Sequence, residues 1–384
     1  MKIGLARRGY SSTGGAESYL RRFVAALRAA GHEAVIFGSP EWPAGARPEG
    51  AEFVPVAGGS PQAFSNALRA LRPHASGLCD VLFSLERVAH CDCFRAGDGV
   101  HRAWLEHRAR GDNSLWKRVH ALARAWNPKH RQLLALERAL FAPDGSGARA
   151  VVANSQMVAR EIVAHYQYPP ARIRTIYNGL SDEFFEPMAD GVREQARREL
   201  ALDAQDYAVL FAGSGWERKG LRFALAAIAQ LDPAHRGVLL IAGAGKRRAL
   251  PSLANDERRV RFLGPVPGAK MRALYAAADV FLLPTLYDPF SNACLEAFAS
   301  GLPVVTTAQN GFAEILLPAV TGERVDFAWE TGALTASLAR WADAERRRAA
   351  RPKILARAAD FRMETNLAET LDFLTHLPPA RAGF

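Results

Sequence analysis

Residues 3–37, IGLARRGYSSTGGAESYLRRFVAALRAAGHEAVIF, contain the pattern that decides the fold. A short apolar run at residues 3–6 predicts a strand, and a loop of small residues follows it. A helix is then predicted by apolar residues at positions i, i+3, i+4 and i+7, namely Leu20, Phe23, Val24 and Leu27. The helix ends at Gly31, and the apolar run at 34–37 predicts a second strand. This β-loop-α-β unit begins a parallel sheet that is covered by helices.

The same alternation continues along the chain and restarts after Asn178-Gly179. Further strands are predicted at 80–84, 150–153, 208–212, 238–241, 260–263, 280–283 and 303–306. Asn127-Pro128 predicts the start of a helix, because Asn caps a first turn and Pro suits the first helical position. We therefore expect an α/β fold of two Rossmann-like, doubly wound domains facing across a cleft, residues 1–180 and 181–359. Ligands of such sheets bind beyond the carboxyl ends of the strands.

The composition is that of a globular protein, with 49% hydrophobic and 23% charged residues, and 384 residues suffice for two domains. The N-terminal apolar run is too short for a signal peptide, and no run reaches about 18 apolar residues, so a cytoplasmic protein is expected. The four cysteines form no CxxC pair. We interpret Cys91 and Cys93 as buried thiols rather than metal ligands, and no metal site is expected.

A glycine-rich loop follows the first strand of each predicted domain. Gly14-Gly15 precedes a helix, where backbone N–H groups can approach an anion, although a flexible turn explains the pair equally well. The GxGxxG fingerprint is absent, which disfavours a hydride-transfer enzyme. In the second domain, Gly213-Ser214-Gly215 leads to Arg218 and Lys219, which we expect where a helix begins. Two cations are unfavourable there unless an anion such as a diphosphate compensates them; the alternative is a solvated basic corner.

Two carboxylates flank a strand-to-helix junction at residues 284–297, PTLYDPFSNACLEA. Asp288 lies in the loop, and Glu296 lies on a largely apolar helix that Ser291 or Asn292 is expected to cap. Both acids can face a ligand, one towards a sugar ring and the other towards ribose hydroxyls. The alternative is that Asp288 shapes a turn and Glu296 is solvated. The apolar neighbours of Glu296 favour the ligand role.

These elements together resemble the GT-B glycosyltransferases of family 4, especially the lipopolysaccharide core glucosyltransferase I group. The matching elements cover nearly the whole chain: Gly14-Gly15, Asn154-Ser155, Ile176-Tyr177-Asn178-Gly179, Arg218-Lys219-Gly220, the pair Asp288 and Glu296, and Gly301-Leu302-Pro303-Val304. The resemblance implies two Rossmann-like domains and a C-terminal helix, at about 360–384, that packs back on the first. It also implies transfer with retention of anomeric configuration and without a bound metal, and no Asp-x-Asp donor motif is evident.

The resemblance also implies a role for each residue of the donor site. Arg218 and Lys219 would bind the donor diphosphate, and Gly14-Gly15 would bring backbone amides to the phosphates. Glu296 would bind the ribose hydroxyls, and Asn292 belongs to the same donor-binding set.

The candidate catalytic residues are Asp98 and Asp288. The resemblance implies that Asp288 contacts the donor sugar and that the segment 95–101, RAGDGVH, reaches the sugar from the first domain. Asp98 is the candidate in that segment, and His101 is a weaker one. Asp288 stands where the family usually has Glu. The family's Asn-Gly-x-Asp motif begins here at Asn178-Gly179, but Ser181 stands at the position of its Asp, and Asp182 follows.

Residues 102–138 carry nine basic and three acidic side chains, among which lie Trp104, Trp116 and Trp126. Tryptophan beside Arg and Lys suits an anionic membrane surface, and the resemblance places this region against the membrane that holds the acceptor. A pair of helices with a buried apolar face explains the same pattern equally well.

The leading hypothesis is a retaining glycosyltransferase that transfers a hexose, expected to be glucose from UDP-glucose, to the lipopolysaccharide inner core. The donor is a substrate, and no cofactor is expected. The partners would be the nucleotide sugar and a lipid-linked or polysaccharide acceptor at the inner face of the cytoplasmic membrane. The alternatives are a related transferase for capsule, exopolysaccharide or another glycolipid, and a nucleotide-sugar 2-epimerase. A non-catalytic protein that binds nucleic acid or a membrane through its net charge of +10 is disfavoured, because such a role does not explain Arg218 and Lys219 near one helix and Glu296 on another.

Overall fold

The computed structural model describes residues 1–10, 15–71, 73–74, 76–111, 127–247 and 250–377. The chain divides into two compact units. The first contains Met1–Tyr177 together with the chain from Glu364, and the second contains Asn178–Met363. The sequence predicts these divisions at 180/181 and 359/360.

The first unit is a parallel sheet with helices between its strands. Its strands are β1 (Lys2–Ala6), β2 (Glu33–Gly38), β3 (Ala51–Pro55), β4 (Val81–Ser84), β5 (Cys91–Ala96), β6 (Ala148–Ala153) and β7 (Ile173–Thr175). Its helices are α1 (Gly15–Ala29), α2 (Pro61–Ala70), α3 (His101–Arg110), α4 (Pro128–Leu140), α5 (Gln156–Tyr166) and α13 (Met363–Thr375). Over the described residues the strand order is β3-β2-β1-β4-β5-β6-β7.

The second unit repeats this architecture. Its strands are β8 (Tyr207–Ala212), β9 (Gly237–Ala242), β10 (Val260–Gly264), β11 (Val280–Leu283), β12 (Val304–Thr307) and β13 (Gly322–Val325). Its helices are α6 (Val192–Glu199), α7 (Trp216–Lys219), α8 (Leu221–Gln230), α9 (Gly268–Ala277), α10 (Asn292–Ala299), α11 (Thr331–Trp341) and α12 (Ala344–Ala358). In the described part of the chain the strand order is β10-β9-β8-β11-β12-β13.

The apolar runs form central strands because both of their faces are covered. Every residue of β8, β9 and β11 is buried, as expected for a parallel sheet between two helical layers. Each buried Val, Leu, Ile or Phe side chain contributes about 1.5–3 kcal/mol relative to exposure. The predicted fold class of two Rossmann-like units is confirmed.

Most predicted elements are confirmed, and the strands that were not predicted are β3, β5, β7 and β13. Asn127 caps α4 as predicted: its side chain accepts a hydrogen bond from Lys129 N at 3.0 Å, and Pro128 is the first helical residue. The interpretation of the cysteines as buried thiols is also confirmed. Among the described residues, none of the helices combines the length and the apolar character that crossing a lipid bilayer requires.

Candidate active site

The carboxyl ends of β8 and β11 lie side by side where the strand order of the second sheet reverses. β8 pairs with β9 on one side and with β11 on the other. The loops at such a reversal diverge and leave a crevice in which ligands of open α/β sheets bind. The segment after β8, which includes the short helix α7, carries Arg218 and Lys219, and the loop after β11 carries Asp288. The fold thus brings these three predicted residues to one crevice of the second unit.

Lys219 and Asp288 form an ion pair in this crevice. Lys219 Nζ donates a hydrogen bond to Asp288 Oδ2, and the two side chains are only 12% and 7% exposed. The Arg218 guanidinium lies 4.0 Å from Asp288 Oδ1 and is 39% exposed. Two cations around one carboxylate leave an excess of one positive charge, which suits an anionic ligand.

The backbones of the two loops are joined at Arg218. Its carbonyl accepts hydrogen bonds from Leu286 N at 2.9 Å and from Thr285 Oγ1 at 2.8 Å. Gly220 makes this close approach possible, because its φ is +78° and a Cβ there would lie 1.8 Å from Pro284 O. A side chain at this position would therefore separate the two loops.

The prediction that Arg218 and Lys219 stand where a helix begins is wrong. They are the last two residues of the short helix α7, and α8 begins only at Leu221, after the left-handed Gly220. Cations are favoured at the C-terminal end of a helix, so their position along the helix does not by itself require an anion. The excess charge around Asp288 is what favours an anion here.

Glu296 lies on α10 and accepts a hydrogen bond from Tyr275 Oη at 2.8 Å. Burial raises the pKa of the Glu296 carboxyl above its usual value; the charge of Glu183 adds to this effect, and Tyr275 and Lys219 oppose it. The influence of Lys219 places Glu296 within electrostatic range of the Lys219–Asp288 pair. Tyr275 could not be predicted as a partner of Glu296 from the sequence, because no motif includes it.

Ser291 caps α10, so Asn292 is free for another contact. The Ser291 hydroxyl accepts from Cys294 N at 3.4 Å. Asn292 is the exposed first residue of the helix, and its Oδ1 accepts from Asn178 Nδ2 at 2.8 Å. Asn292 stands one turn before Glu296, so the two residues share a face of α10.

Asn310 is a fully buried residue that the sequence analysis missed and that supports the Asp288 loop. Its Oδ1 accepts from Ser291 N at 3.2 Å, and its Nδ2 donates to Thr306 Oγ1 at 2.9 Å. The Asp288 N–H donates to Gln309 O at 2.8 Å in the same segment. The only indication of this role in the sequence is that an asparagine follows shortly after an apolar strand. This network fixes the loop from which the Asp288 carboxylate projects.

Asp98 of the first unit lies in the turn between β5 and α3, and its side chain is 80% exposed. The turn is held on two sides: Asn154 Nδ2 donates to Gly97 O at 3.2 Å, and Arg87 Nη2 donates to Gly99 O at 2.8 Å. Arg87 Nη1 also lies 3.8 Å from Asp98 Oδ2. Asp98 is therefore an exposed carboxylate on a fixed turn at the carboxyl edge of the first sheet.

Glu137 is a buried carboxylate that ties this turn to the start of α3. Its Oε1 accepts from Arg87 Nε at 3.0 Å and from His101 N at 2.6 Å. Its Oε2 accepts from Tyr166 Oη at 2.7 Å and from Arg102 N at 3.2 Å. A carboxylate at a helix start satisfies N–H groups that have no partner in the helix and matches the helix dipole. The sequence analysis missed Glu137, since its partners lie 29 to 50 residues away.

His101 is a neutral imidazole near pH 7. Its Nε2 lies 2.9 Å from His130 Nδ1. Burial lowers the pKa of His101 to about 4, although the charge of Glu137 partly opposes this effect. The ring can therefore accept or donate a hydrogen bond, but it cannot supply a positive charge.

Two of the predicted features lie wholly or partly outside the described residues. Gly14 is outside them, whereas Gly15 is the first residue of α1. The basic stretch 102–138 lacks a description for 112–126, which include two of its three tryptophans. Within the part of the chain that the structure describes, no group of three or more His, Cys, Asp or Glu side chains is arranged to hold a metal ion.

The chain matches two family models. The model described as Glycosyltransferase Family 4 matches residues 13–184, and the one described as Glycosyl transferases group 1 matches residues 206–343. An uncharacterized glycosyltransferase of Methanocaldococcus jannaschii is 31% identical over 177 residues, 45% of each chain. A D-inositol 3-phosphate glycosyltransferase of Corynebacterium aurimucosum is 33% identical over 175 residues, 43% of this chain and 42% of that protein. The chain thus spans about half the length of the curated relatives it matches.

Solved structures share the fold over the whole chain. WaaG, a glycosyltransferase involved in lipopolysaccharide biosynthesis, superposes with a TM-score of 0.76 at 22% identity, covering 97% of this chain and 100% of WaaG. Anabaena Alr3699/HepE, in complex with UDP and glucose, has a TM-score of 0.71 at 17% identity, covering 98% of this chain and 100% of that one. Together with the two family models, these likenesses define the class: a glycosyltransferase of the GT-B fold. The chain belongs to the family 4 glycosyltransferases.

Proposed function

We propose that the chain transfers a hexose from a nucleotide sugar to an acceptor hydroxyl, with retention of anomeric configuration. The observation that carries this proposal is the Lys219–Asp288 ion pair beside the exposed Arg218, at the strand-order reversal of the second sheet. A pyrophosphate group provides the negative charges that these cations can bind, and a sugar attached to it would lie beside Asp288. A protein that only binds a sugar would need no excess of positive charge at this crevice.

The donor we propose is UDP-glucose. Arg218 and Lys219 bind its diphosphate, Glu296 and Asn292 bind the ribose hydroxyls, and Asp288 contacts the sugar. The half-buried Glu296, held by Tyr275, suits hydroxyl recognition because hydrogen bonds to a partly dehydrated carboxylate are strong. The complex of Alr3699/HepE with UDP and glucose supports this choice of donor by analogy of fold.

The reaction forms a bond between the acceptor oxygen and the anomeric carbon and breaks the bond from that carbon to the diphosphate oxygen. The electron pair of the broken bond stays on the diphosphate, where Arg218 and Lys219 stabilise the developing charge. In the route we propose, a phosphate oxygen takes the proton of the acceptor hydroxyl on the same face of the sugar. The alternative is a covalent intermediate on Asp98 or Asp288. Substitution of each, followed by rescue with azide, separates the two routes.

The acceptor we propose is a heptose of the lipopolysaccharide inner core at the cytoplasmic face of the membrane. The whole-chain likeness to WaaG supports it. A second candidate is a capsule or exopolysaccharide intermediate or another glycolipid. D-inositol 3-phosphate glycosyltransferases are similar in sequence to part of this chain, and their name gives an acceptor that is not lipopolysaccharide. This similarity supports the second class of acceptor as an alternative.

Radiolabelled UDP-glucose incubated with the chain and purified inner-core acceptor tests the proposal. The label should enter the acceptor with an α-linkage, which nuclear magnetic resonance of the product identifies. Lys219→Ala should abolish transfer, and Lys270→Ala, an exposed lysine on α9, should preserve it. A β-linked product would contradict retention, and release of the 2-epimer of glucose without acceptor would identify the epimerase instead.

A further inference from the structure

A second cleft lies in the same unit, at the opposite edge of the sheet from Lys219 and Asp288. It has a volume of about 880 Å³ and is lined by residues at the amino ends of three strands: Tyr207 begins β8, Asp279 precedes β11 and Pro303 precedes β12. We name this feature the amino-edge cleft. The proposed donor site uses loops at the carboxyl ends of these strands, and none of the donor candidates lines the amino-edge cleft. Tyr275 lines the cleft and donates to Glu296, so this one supporting residue is common to both sites. Pockets of about 300–1,000 Å³ are of the size that holds small molecules.

The cleft lining holds four guanidinium groups and four carboxylates: Arg193, Arg347, Arg348 and Arg351, and Asp190, Glu194, Asp206 and Asp279. The positive charge is concentrated around Asp279, where Arg197 also lies although it does not line the cleft. Asp279 is buried and receives three arginines: Arg193 at 2.8 Å, Arg197 at 3.3 Å and Arg347 at 3.3 Å. Its Oδ2 also accepts from Ala208 N at 2.8 Å. One carboxylate balances one of these three positive charges. The side chains of Arg197 and Arg347 are 10% and 19% exposed and are weakly screened by solvent, whereas that of Arg193 is 42% exposed.

Arg351 on α12 also lines the cleft and is an exposed residue. Its Nη1 donates to Ser300 O at 2.9 Å, and within the described residues no carboxylate lies at ion-pair distance from it. Burial, and then the positive charge of Arg193, lowers the pKa of the Arg351 guanidinium below its usual value. Donors that the Ser300 contact does not use remain for a ligand, since a guanidinium has five N–H groups.

The acids along the lining compensate this charge only in part. Asp190 and Glu194 are exposed at the rim, where solvent screens them. Asp206 already pairs with Arg236 at 3.0 Å. The first turn of α6 also faces the cleft, and its N-cap residue Gly191 has no side chain to accept its N–H groups. The positive end of that helix therefore adds to the positive potential.

We propose that the amino-edge cleft binds a small phosphate-bearing molecule at a site separate from the donor crevice. Arg351 and the partly exposed Arg193 supply planar, charge-assisted donors of the kind that bind phosphate oxygens in pairs. Arg197 and Arg347 instead donate to Asp279 and to backbone carbonyls. The volume accommodates a ligand of nucleotide size rather than a single ion. An anion there would compensate Arg351 and the excess charge around Asp279 together.

Titration calorimetry of the intact chain with inorganic pyrophosphate tests the site. Arg351→Gln should weaken one binding event at least tenfold, because it removes the one guanidinium of the described lining that lacks a carboxylate partner. Lys353→Gln is the matched control, since it removes an exposed charge two residues away on the same helix and outside the lining. Lys219→Ala should leave this binding event intact. Equal pyrophosphate binding by the wild type and Arg351→Gln, or a loss confined to Lys219→Ala, would overturn the proposal.

A measurement on the unmodified chain covers the case in which Arg351→Gln fails to fold. Crystals soaked in tungstate, a phosphate analogue with strong anomalous scattering, should show tungsten between Arg351 and Arg193. Tungsten found only beside Lys219 would reject the site.

Co-sedimentation with vesicles of phosphatidylcholine and phosphatidylglycerol distinguishes the source of the phosphate. Binding that Arg351→Gln abolishes and Lys353→Gln preserves identifies a lipid headgroup, and pyrophosphate binding without vesicle binding identifies a soluble ligand.

Discussion

Lys219 donates a hydrogen bond to Asp288 across 69 residues of sequence. The two residues follow neighbouring strands, β8 and β11, so the parallel sheet and not the local sequence brings them together. The contact keeps a largely buried lysine compensated until a ligand arrives. A diphosphate that binds Lys219 therefore has to share this cation with Asp288, which links the phosphate position to the sugar position.

Asp288→Asn should reduce both stability and turnover. Asn keeps the volume of Asp but leaves Lys219 buried without a carboxylate, and removal of one partner of a buried pair costs about 3 kcal/mol. The rate of sugar transfer at saturating donor should fall at least tenfold, because the sugar loses its acid contact. Urea denaturation and initial-rate kinetics measure the two effects.

The matched control for that variant is Asp360→Asn, which breaks an exposed ion pair with Arg357. Exposed pairs contribute about 0–1 kcal/mol, so both stability and rate should stay near the wild-type values. If Asp288→Asn behaved like Asp360→Asn in both assays, the Lys219–Asp288 pair would have no role in the site.

Glu296→Gln should stabilise the unliganded protein at pH 7 and weaken donor binding. The folded state raises the pKa of Glu296 above 4.5, so it holds the proton more tightly than the unfolded state does. The stability of the wild type therefore falls as pH rises from 4.5 through the raised pKa, and the amide variant is free of this loss. Denaturation at about pH 7 and about pH 4 should show an advantage of the variant that disappears at the lower pH. An equal advantage at both pH values would show that the ionisation of Glu296 is not its cause.

Gly220→Ala should destabilise the second unit strongly. The left-handed backbone costs a non-glycine residue about 1–2 kcal/mol, and the new Cβ would lie 1.8 Å from Pro284 O. The thermal midpoint should drop by several degrees. Gly268→Ala, at a position with no atom within 4 Å of the new Cβ, is the control and should change it little.

Glu137→Gln should loosen the start of α3 and slow transfer through the position of Asp98. Arg87 would lose its buried carboxylate partner, so about 3 kcal/mol of stability should be lost. Hydrogen exchange should accelerate at the amides of His101 and Arg102, while the amides of β8 exchange as before. The rate of transfer should fall with little change in the Michaelis constant for the donor. Unchanged exchange at those two amides would show that Glu137 does not hold the helix start.

The central strands could be predicted because a strand that is buried on both faces consists of consecutive apolar residues. β8, predicted at 208–212, is observed at Tyr207–Ala212. β5 has no such run, since it carries Asp92 and Arg95. The buried Asp92 pairs with Arg149 and His74 at 2.7 and 2.8 Å and accepts a hydrogen bond from Leu82 N at 2.7 Å. The sequence cannot show partners that far apart.

The identities of the donor-site residues could be predicted from the sequence, but their arrangement in space could not. Arg218, Lys219 and Asp288 were predicted from their loops, yet the expectation of a helix start at Arg218 was wrong because left-handed Gly220 ends one helix before another begins. Asn310 and Tyr275 support the site through contacts that depend on the assembled sheet. Their positions follow from packing, which no short motif specifies.

Titration calorimetry with UDP tests the central claim most directly. Measured in the Arg351→Gln background, so that the amino-edge cleft does not contribute, the otherwise unchanged chain and the control Lys270→Ala should each bind one UDP with the same affinity. Lys219→Ala should bind UDP at least tenfold more weakly, since a hydrogen bond to a charged group contributes about 1.5–3 kcal/mol. Undiminished binding of UDP by Lys219→Ala would contradict the claim that the crevice between β8 and β11 holds the donor diphosphate.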